Sequence, residues 1–219
     1  MSCTENYKSL LKELESIKSS GVKLLPVSKT VSAEVIKELY DAGVREFAEN
    51  RIEVLTPKDE ALPDDICWHF IGRLQSNKVR KILKIAKVIH SVDSIELVQR
   101  IDRIAGEEKC TPVIFLEISV SGEECKGGFP VARALELAQA AAAAPNIKLA
   151  GLMTMAPLEA TPDECRTVFN GLRECRDKLE NELKISLPEL SMGMSNDWKE
   201  AVECGATVIR VGSSIFHKE

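Results

Sequence analysis

The sequence predicts a (β/α)8 barrel with one additional helix at its N-terminus. Short apolar or β-branched segments alternate with longer amphipathic segments eight times in 219 residues. Some short segments, such as Val113–Leu116, are apolar on both faces, as parallel strands covered by helices must be. The length suits one such domain, and we expect residues 1–219 to form a single barrel.

The first predicted element is the additional helix. Leu10, Leu14 and Ile17 recur at helical spacing, which predicts a helix over Thr4–Ser19 that ends at Gly21.

Eight strands and seven further helices then follow along the chain. The predicted strands are Lys23–Ser28, Glu46–Ala48, Cys67–Ile71, Val88–Ser91, Val113–Val120, Lys148–Met153, Glu189–Met192 and Thr207–Val211. The predicted helices are Ser32–Ala42, Asn50–Lys58, Ser76–Ala86, Ser94–Ala105, Pro130–Ala144, Pro162–Leu183 and Ser195–Cys204.

Capping residues support several of these helix boundaries. Helix starts are indicated by Ser32, Ser94 and Thr161. Helix ends are indicated by glycines, at Gly43, Gly106 and Gly205. The alternative fold is an open doubly wound sheet, but its usual glycine-rich first turn is missing from Leu25–Thr30.

Composition excludes several classes of protein. The net charge is −5, from 29 basic and 34 acidic residues, which disfavours nucleic-acid binding. No apolar stretch approaches the roughly 20 residues of a membrane span, and Met1–Leu14 has no apolar signal core. The seven cysteines include no C-x-x-C pair, and there are three histidines, so we expect reduced thiols and no metal site. We therefore expect a cytoplasmic protein, and we expect it to be a monomer.

The end of the first strand carries a candidate nucleophile. Active sites of such barrels lie at the C-terminal ends of the strands. Lys29 ends the first apolar strand and shares a strand face with Leu25 and Val27. Desolvation there would favour a neutral amine that can form a Schiff base. The alternative is that Lys29 extends from the strand end into solvent.

The last two strands lead into candidate phosphate loops. These loops are Gly193–Asn196 and Gly212–Ser214, which follow strands seven and eight, where barrels often bind phosphate. Glycine permits close backbone approach, and the hydroxyls of Ser195 and Ser213 can donate to phosphate oxygens. The alternative is that these two serines only cap helices.

Barrel closure places the lysine beside the phosphate loops, and pyridoxal 5′-phosphate (PLP) is a common cofactor that needs both groups. Its pyridine nitrogen also needs a partner. Arg210 lies two residues before Gly212, so its side chain reaches the same end of the barrel. Because arginine stays protonated, it would donate to an unprotonated ring nitrogen, which weakens the electron sink. The alternative is an ion pair between Arg210 and Glu117.

Several motifs together resemble a known family. They are Leu25–Thr30, Phe47–Asn50, Trp68–Gly72, Leu74–Lys78, Gly151–Met155, Ser191–Ser195 and Arg210–Phe216. With them the chain resembles, over residues 20–217, the YggS/PROSC family of pyridoxal phosphate homeostasis proteins. The resemblance implies a single-domain barrel of the alanine racemase N-terminal type.

The resemblance also assigns roles to residues. It implies a covalent PLP aldimine at Lys29. It implies phosphate contacts at Ser195, Gly212 and Ser213, and contact of Arg210 with the ring nitrogen.

Further residues match the pocket of the family. Asn50 and His69 match pocket-lining positions, and Met153 joins the expected cofactor-binding residues. Lys126 matches a lysine of a flexible loop linked to cofactor handling, and Cys125 beside it is the residue that could act as a second acid or base. Four positions depart from the family pattern without removing a group that the cofactor needs: Ala48, Ser119, Cys125 and Ser214. Ser119 leaves in doubt a hydrogen bond from that strand to the cofactor ring.

Three functions remain open from the sequence. The first is a PLP-binding homeostasis protein that holds the cofactor, with PLP-dependent apo-enzymes as partners and without strong catalytic turnover. The second is a PLP-dependent amino-acid racemase, which would need a second positioned base, whereas the two tyrosines, Tyr7 and Tyr40, fall on predicted outer helices. The third is a Schiff-base aldolase acting on a phosphorylated substrate.

Overall fold

The computed structural model describes residues 2–17, 21–120 and 127–216. Its helices are α1 (Cys3–Ile17), α2 (Ala33–Asp41), α3 (Ile52–Ala61), α4 (Val79–Ile85), α5 (Ile95–Glu108), α6 (Ala134–Ala142), α7 (Pro162–Leu183), α8 (Trp198–Glu203) and α9 (Ser213–Phe216). Its strands are β1 (Lys23–Pro26), β2 (Glu46–Glu49), β3 (Cys67–Phe70), β4 (Ala86–Val92), β5 (Val113–Ser119), β6 (Phe129–Pro130), β7 (Lys148–Met153), β8 (Glu189–Ser191) and β9 (Val208–Val211). None of these described helices is long and apolar enough to cross a membrane.

The strands form a parallel barrel. Their spatial order is β1-β9-β8-β7-β5-β4-β3-β2. The short β6 is not part of this order and pairs with β5. A parallel bridge between Val27 and Ala48 joins β1 to β2 and closes the ring. The predicted (β/α)8 barrel with an N-terminal helix is therefore confirmed, and the alternative of an open doubly wound sheet is wrong.

Three helices begin three or more residues later than the sequence predicts. Ser195–Asp197 form a turn, and α8 begins only at Trp198. The segment predicted to begin a helix at Pro130 starts instead with β6 and a 3-10 turn over Val131–Arg133. Likewise Ser76–Lys78 are a 3-10 turn, and α4 passes into β4 without an intervening loop.

The capping predictions are confirmed in part. The Ser94 hydroxyl accepts the Leu97 N–H, and Thr161 forms a reciprocal capping box with α7. Ser32 precedes α2 but makes no capping hydrogen bond. Gly106 lies inside α5, which runs on to a left-handed residue, Lys109, so the prediction of a helix end at Gly106 is wrong.

The apolar side chains pack in two layers. The larger layer lies between the helices and the outer face of the sheet, and it includes the buried stripe Leu97, Ile101 and Ile104 of α5. The lumen holds two small apolar clusters, one around Leu25 and one around Phe115. Between these clusters the lumen is lined by polar side chains. Because buried polar groups are nearly always hydrogen-bonded, these side chains must bond to one another.

Candidate functional site

A cavity opens at the C-terminal ends of the strands, where the sequence predicts the site. Its volume is about 380 Å³, within the usual range for small-molecule sites. It is lined by Val27, Lys29, Thr30, Asn50, Ile71, Gly72, Met155, Met194, Ser195, Arg210, Gly212 and Ser213. A second cavity of about 330 Å³ shares Lys29, Met194, Ser195 and Ser213 with it, so the two are adjoining parts of one depression.

Lys29 lies at the junction of these two cavities. The Ser28 N–H donates to the Ala48 carbonyl at 3.0 Å, which fixes the chain just before the lysine. The Lys29 side chain is exposed. The expectation of a desolvated amine is therefore not met, whereas the expectation that the amine faces the barrel mouth is met.

Arg210 forms the floor of the cavity. It pairs in register with Leu25, and only 4% of it is exposed. Its guanidinium donates to Ser191 Oγ at 2.7 Å and to the Thr154 carbonyl at 3.1 Å. Burial lowers the pKa of Arg210 to about 10, against the opposing effect of the Asp197 and Glu117 charges. Arg210 is thus a cation at neutral pH.

The alternative of an ion pair with Glu117 does not account for the position of the Arg210 guanidinium, because its hydrogen bonds go to Ser191 and Thr154. Glu117 acts on it through its charge alone. Burial, reinforced by the charge of Asp93, raises the pKa of Glu117 itself to about 7.

The two glycine-containing loops meet beside Lys29. The Gly212 N–H donates to Ser195 Oγ at 3.4 Å, which links the loops directly. Gly193 has a φ of +92°, and a Cβ there would lie 2.6 Å from the Ala201 side chain, so glycine is required for the loop to pack on α8. The Met194 N–H donates to Asp197 Oδ1 at 2.5 Å. Asp197, rather than Ser195, therefore precedes α8, and the capping alternative for Ser195 is wrong, whereas Ser213 does begin α9.

Asn50 carries an unsatisfied polar atom. Its Oδ1 is buried and has no hydrogen-bond partner among the described residues. The backbone at Gly72 passes close to that of Asn50, because a Cβ at Gly72 would lie 1.9 Å from the backbone carbonyl oxygen of Asn50. Buried polar atoms are nearly always paired, so this amide is a place where a polar ligand would be bound.

Two expected pocket residues lie below the cavity instead of in its wall. Met153 is 1% exposed and packs in the lumen cluster around Phe115. His69 is 3% exposed, and its ring bonds to Glu46 and His90. Lys126 and Cys125 lie outside the described residues.

Sequence reasoning missed the apolar walls of the cavity. Met155, Met194 and Ile71 all follow strand ends, so their positions could have indicated a role. Their side-chain type gave no chemical reason to single them out.

A third cavity, of about 560 Å³, lies at the opposite end of the barrel beneath α1. Several of its polar side chains are already engaged. Lys23 Nζ lies 2.6 Å from Glu46 Oε2, and the Thr207 hydroxyl donates to Glu189 Oε2 at 2.5 Å. The amine in this cavity, Lys23, is held in the ion pair with Glu46, so we place the candidate site at the other end.

Comparisons with known proteins agree with this geometry. The family model of the alanine racemase N-terminal domain matches residues 3–219. The pyridoxal phosphate homeostasis protein of Aquifex aeolicus is 44% identical over 195 residues, covering 89% of this chain and 86% of that protein. The protein of the same name from Homo sapiens is 35% identical over 213 residues, covering 89% and 75%.

Solved structures show the same fold. PipY of Synechococcus elongatus PCC7942, solved with PLP bound, matches with a TM-score of 0.90 at 38% identity, covering 98% of this chain and 99% of that chain. An alanine racemase of Clostridium difficile 630 matches with a TM-score of 0.79 at 18% identity, covering 98% of this chain and 60% of that chain, which shows likeness of fold alone. On the family model and the similarity to these relatives, the chain belongs to the family of pyridoxal phosphate homeostasis proteins.

Proposed function

We propose that this protein binds PLP in the cavity at the barrel mouth and takes part in PLP homeostasis by holding the cofactor and passing it on. In this proposal Lys29 Nζ condenses with the PLP aldehyde, a C=N bond forms, and one water molecule leaves. The observation that carries the proposal is the convergence of an amine, two linked glycine-containing loops and a buried guanidinium on one cavity. The PLP bound in PipY supports the choice of cofactor.

The residues of the cavity fit PLP. The unpaired amide oxygen of Asn50 marks a buried polar position that a ligand would satisfy. Ser195, Gly212 and Ser213 are the proposed phosphate contacts, through hydroxyls and backbone N–H groups. Methionine and isoleucine side chains of the walls offer apolar contact to an aromatic ring.

Arg210 is the proposed partner of the pyridine nitrogen. When bound, PLP supplies an aldehyde for covalent attachment and an electron-withdrawing ring. A guanidinium with a pKa of about 10 donates a hydrogen bond and does not accept the ring proton at neutral pH. An unprotonated ring withdraws electrons weakly, which favours holding the cofactor over carbanion chemistry.

Two-base chemistry finds little support at this cavity. Both tyrosines of the chain lie elsewhere, because Tyr7 lines the cavity beneath α1 and Tyr40 donates to Asp65 at 2.7 Å. Lys29 is the amine at the cavity mouth. Racemisation requires proton transfer on both faces of a substrate, so we propose that turnover is slow.

The test separates a carrier from a racemase. The PLP-loaded protein is incubated with several amino acids in heavy water, and deuterium incorporation at Cα is measured alongside cofactor transfer to a PLP-dependent apo-enzyme. We expect activation of the apo-enzyme and exchange far below about 1 s⁻¹. Exchange or racemisation at about 1 s⁻¹ or faster would overturn the carrier proposal in favour of a racemase.

We also propose that the protein is a cytoplasmic monomer in which one barrel domain supplies the whole site. The six described cysteines are all free, which suits a reducing compartment. Light scattering of the purified protein tests the monomer, and a stable dimer would contradict it.

A further inference from the structure

A continuous chain of hydrogen bonds crosses the lumen of the barrel. It begins at Arg210, which donates to Ser191 Oγ at 2.7 Å. Ser191 Oγ lies 2.8 Å from Nδ1 of His90, and Nε2 of His90 lies 2.9 Å from Nδ1 of His69. The chain ends where Nε2 of His69 lies 3.1 Å from Oε2 of Glu46. Its two ends are the cofactor cavity and the N-terminal end of β2.

The direction of every hydrogen bond in the chain follows from its ends. Glu46 is a carboxylate at neutral pH, because the bond to His69 and the nearby Lys23 lower its pKa to about 2. A carboxylate only accepts, so Nε2 of His69 carries the proton. In a neutral ring Nδ1 of His69 must then accept, which places the proton of His90 on Nε2. Nδ1 of His90 then accepts from the hydroxyl of Ser191.

The other end of the chain gives the same direction. A guanidinium has no acceptor, so Arg210 must donate to Ser191 Oγ. The Ser191 hydroxyl can therefore accept from Arg210 and donate to His90, and each polar atom of the chain is satisfied. A cationic His90 would donate from Nδ1 to Ser191 and leave the Ser191 proton without an acceptor among the described residues. A cationic His69 would donate to Nε2 of His90 and force the same reversal at Ser191.

The surroundings keep both rings neutral and fixed. His90 is fully buried and stacks on Phe115, with ring centroids 4.3 Å apart and planes 9° apart. Burial lowers the pKa of both histidines, and the positive charges of Arg210 and Lys23 lower that of His90 further. For His69, the Glu46 carboxylate opposes burial and raises the pKa, while Lys23 lowers it.

We propose that His69 and His90 are positioning residues for Arg210. The one-directional chain keeps an oxygen lone pair of Ser191 available to the guanidinium and so holds its donors toward the cofactor cavity. Glu46, at the opposite end of the barrel, is the final acceptor on which this order depends. The effect on the cofactor rests on the proposed function, whereas the order of the chain does not.

The first experiment needs no cofactor. Long-range ¹H–¹⁵N spectra of the histidine rings are recorded on the unliganded protein from pH 5 to pH 8. The sequence has three histidines, and the variant His217→Gln removes the third signal. We expect His69 and His90 to stay neutral with the proton on Nε2 throughout. A proton on Nδ1 of either ring, or a cationic ring at pH 7, would overturn the proposal.

The second experiment compares three variants by equilibrium titration with PLP. Glu46→Gln keeps an accepting oxygen, and Lys23→Met removes the Lys23–Glu46 ion pair but leaves the chain intact. We expect both to bind PLP within about twofold of the parent protein. Glu46→Leu removes the final acceptor, and we expect its affinity to fall roughly fivefold, the equivalent of one neutral hydrogen bond.

Equal affinity of Glu46→Leu and Lys23→Met would overturn the positioning role. If Glu46→Leu does not fold, Ser191→Ala takes its place, since it interrupts the chain next to Arg210 and is expected to weaken PLP binding about tenfold. Parent-like affinity of that variant would also overturn the role. Failure of the parent protein to bind PLP would instead refute the proposed function. The ring spectra would then still test the direction of the hydrogen bonds in the chain.

Discussion

The phosphate loops give a prediction whose magnitude follows from the exposure of two hydroxyls. A hydrogen bond to a charged group contributes about 1.5–3 kcal/mol, and each 1.4 kcal/mol is a factor of ten in affinity. Ser195 is half-buried between the loops, whereas Ser213 is exposed, so solvent competes more strongly for Ser213. We expect about a tenfold or greater loss of PLP affinity for Ser195→Ala, a smaller loss for Ser213→Ala, and at least a tenfold loss for the double variant.

The assay is equilibrium titration with PLP and, in parallel, with pyridoxal, which lacks the phosphate. The loss should appear with PLP and be small with pyridoxal, because only the phosphate contacts change. Ser214→Ala is the matched control, since Ser214 is an exposed neighbour of Ser213 that does not line the cavity. A double variant that binds PLP as tightly as Ser214→Ala would refute the assignment of the phosphate site.

Three further predictions concern stability. Lys58 (6% exposed) and Glu49 (0% exposed) form a buried ion pair behind the Lys29 turn. Lys58→Met should therefore lower the free energy of unfolding, measured by urea denaturation, by about 3–5 kcal/mol. A loss below about 1 kcal/mol would contradict this. Burial raises the pKa of Glu117 from 4.5 to about 7, so between these pH values the folded state binds more protons than the unfolded chain. The free energy of unfolding should therefore fall as the pH rises through that range. Glu117→Gln should flatten this pH dependence. Gly193→Ala forces a Cβ to within 2.6 Å of a side chain of α8, and we expect a loss of about 1–3 kcal/mol, with no measurable change counting against the close packing.

Much of the fold is predictable from local pattern. The sequence predicts a strand over Val113–Val120, in which Val113–Leu116 are apolar on both faces, and β5 covers Val113–Ser119. Boundaries without glycine or a capping residue were missed, as at Ala86, where α4 passes directly into β4. Ser195 resembles a helix start in the sequence, but the left-handed Gly193 bends the chain so that the helix begins three residues later.

The candidate site was predictable as far as it depends on strand ends. Lys29, Ser195, Gly212 and Ser213 line one cavity as expected, because each follows a strand of a closed barrel. Met153, by contrast, packs in the lumen cluster around Phe115. It shares a strand face with Met155, and it is Met155 that reaches the cavity.

The histidine chain could not be derived from sequence pattern. His69 and His90 are 21 residues apart, and Ser191 follows 101 residues after His90. Their contacts depend on how far each strand is staggered relative to its neighbours, including the register shift between β3 and β4. The resemblance to the family implies a pocket role for His69, whereas its ring lies in the hydrogen-bonded chain between His90 and Glu46.

Borohydride trapping tests whether Lys29 carries the cofactor. The PLP-loaded protein is treated with borohydride, which delivers hydride to the C=N carbon and leaves a stable secondary amine, and the modified peptide is mapped by mass spectrometry. We expect one adduct, on Lys29, in the parent protein. In Lys29→Ala we expect no adduct and no accompanying change in the visible spectrum. An undiminished adduct in Lys29→Ala, mapped to Lys126 or another lysine, would contradict it.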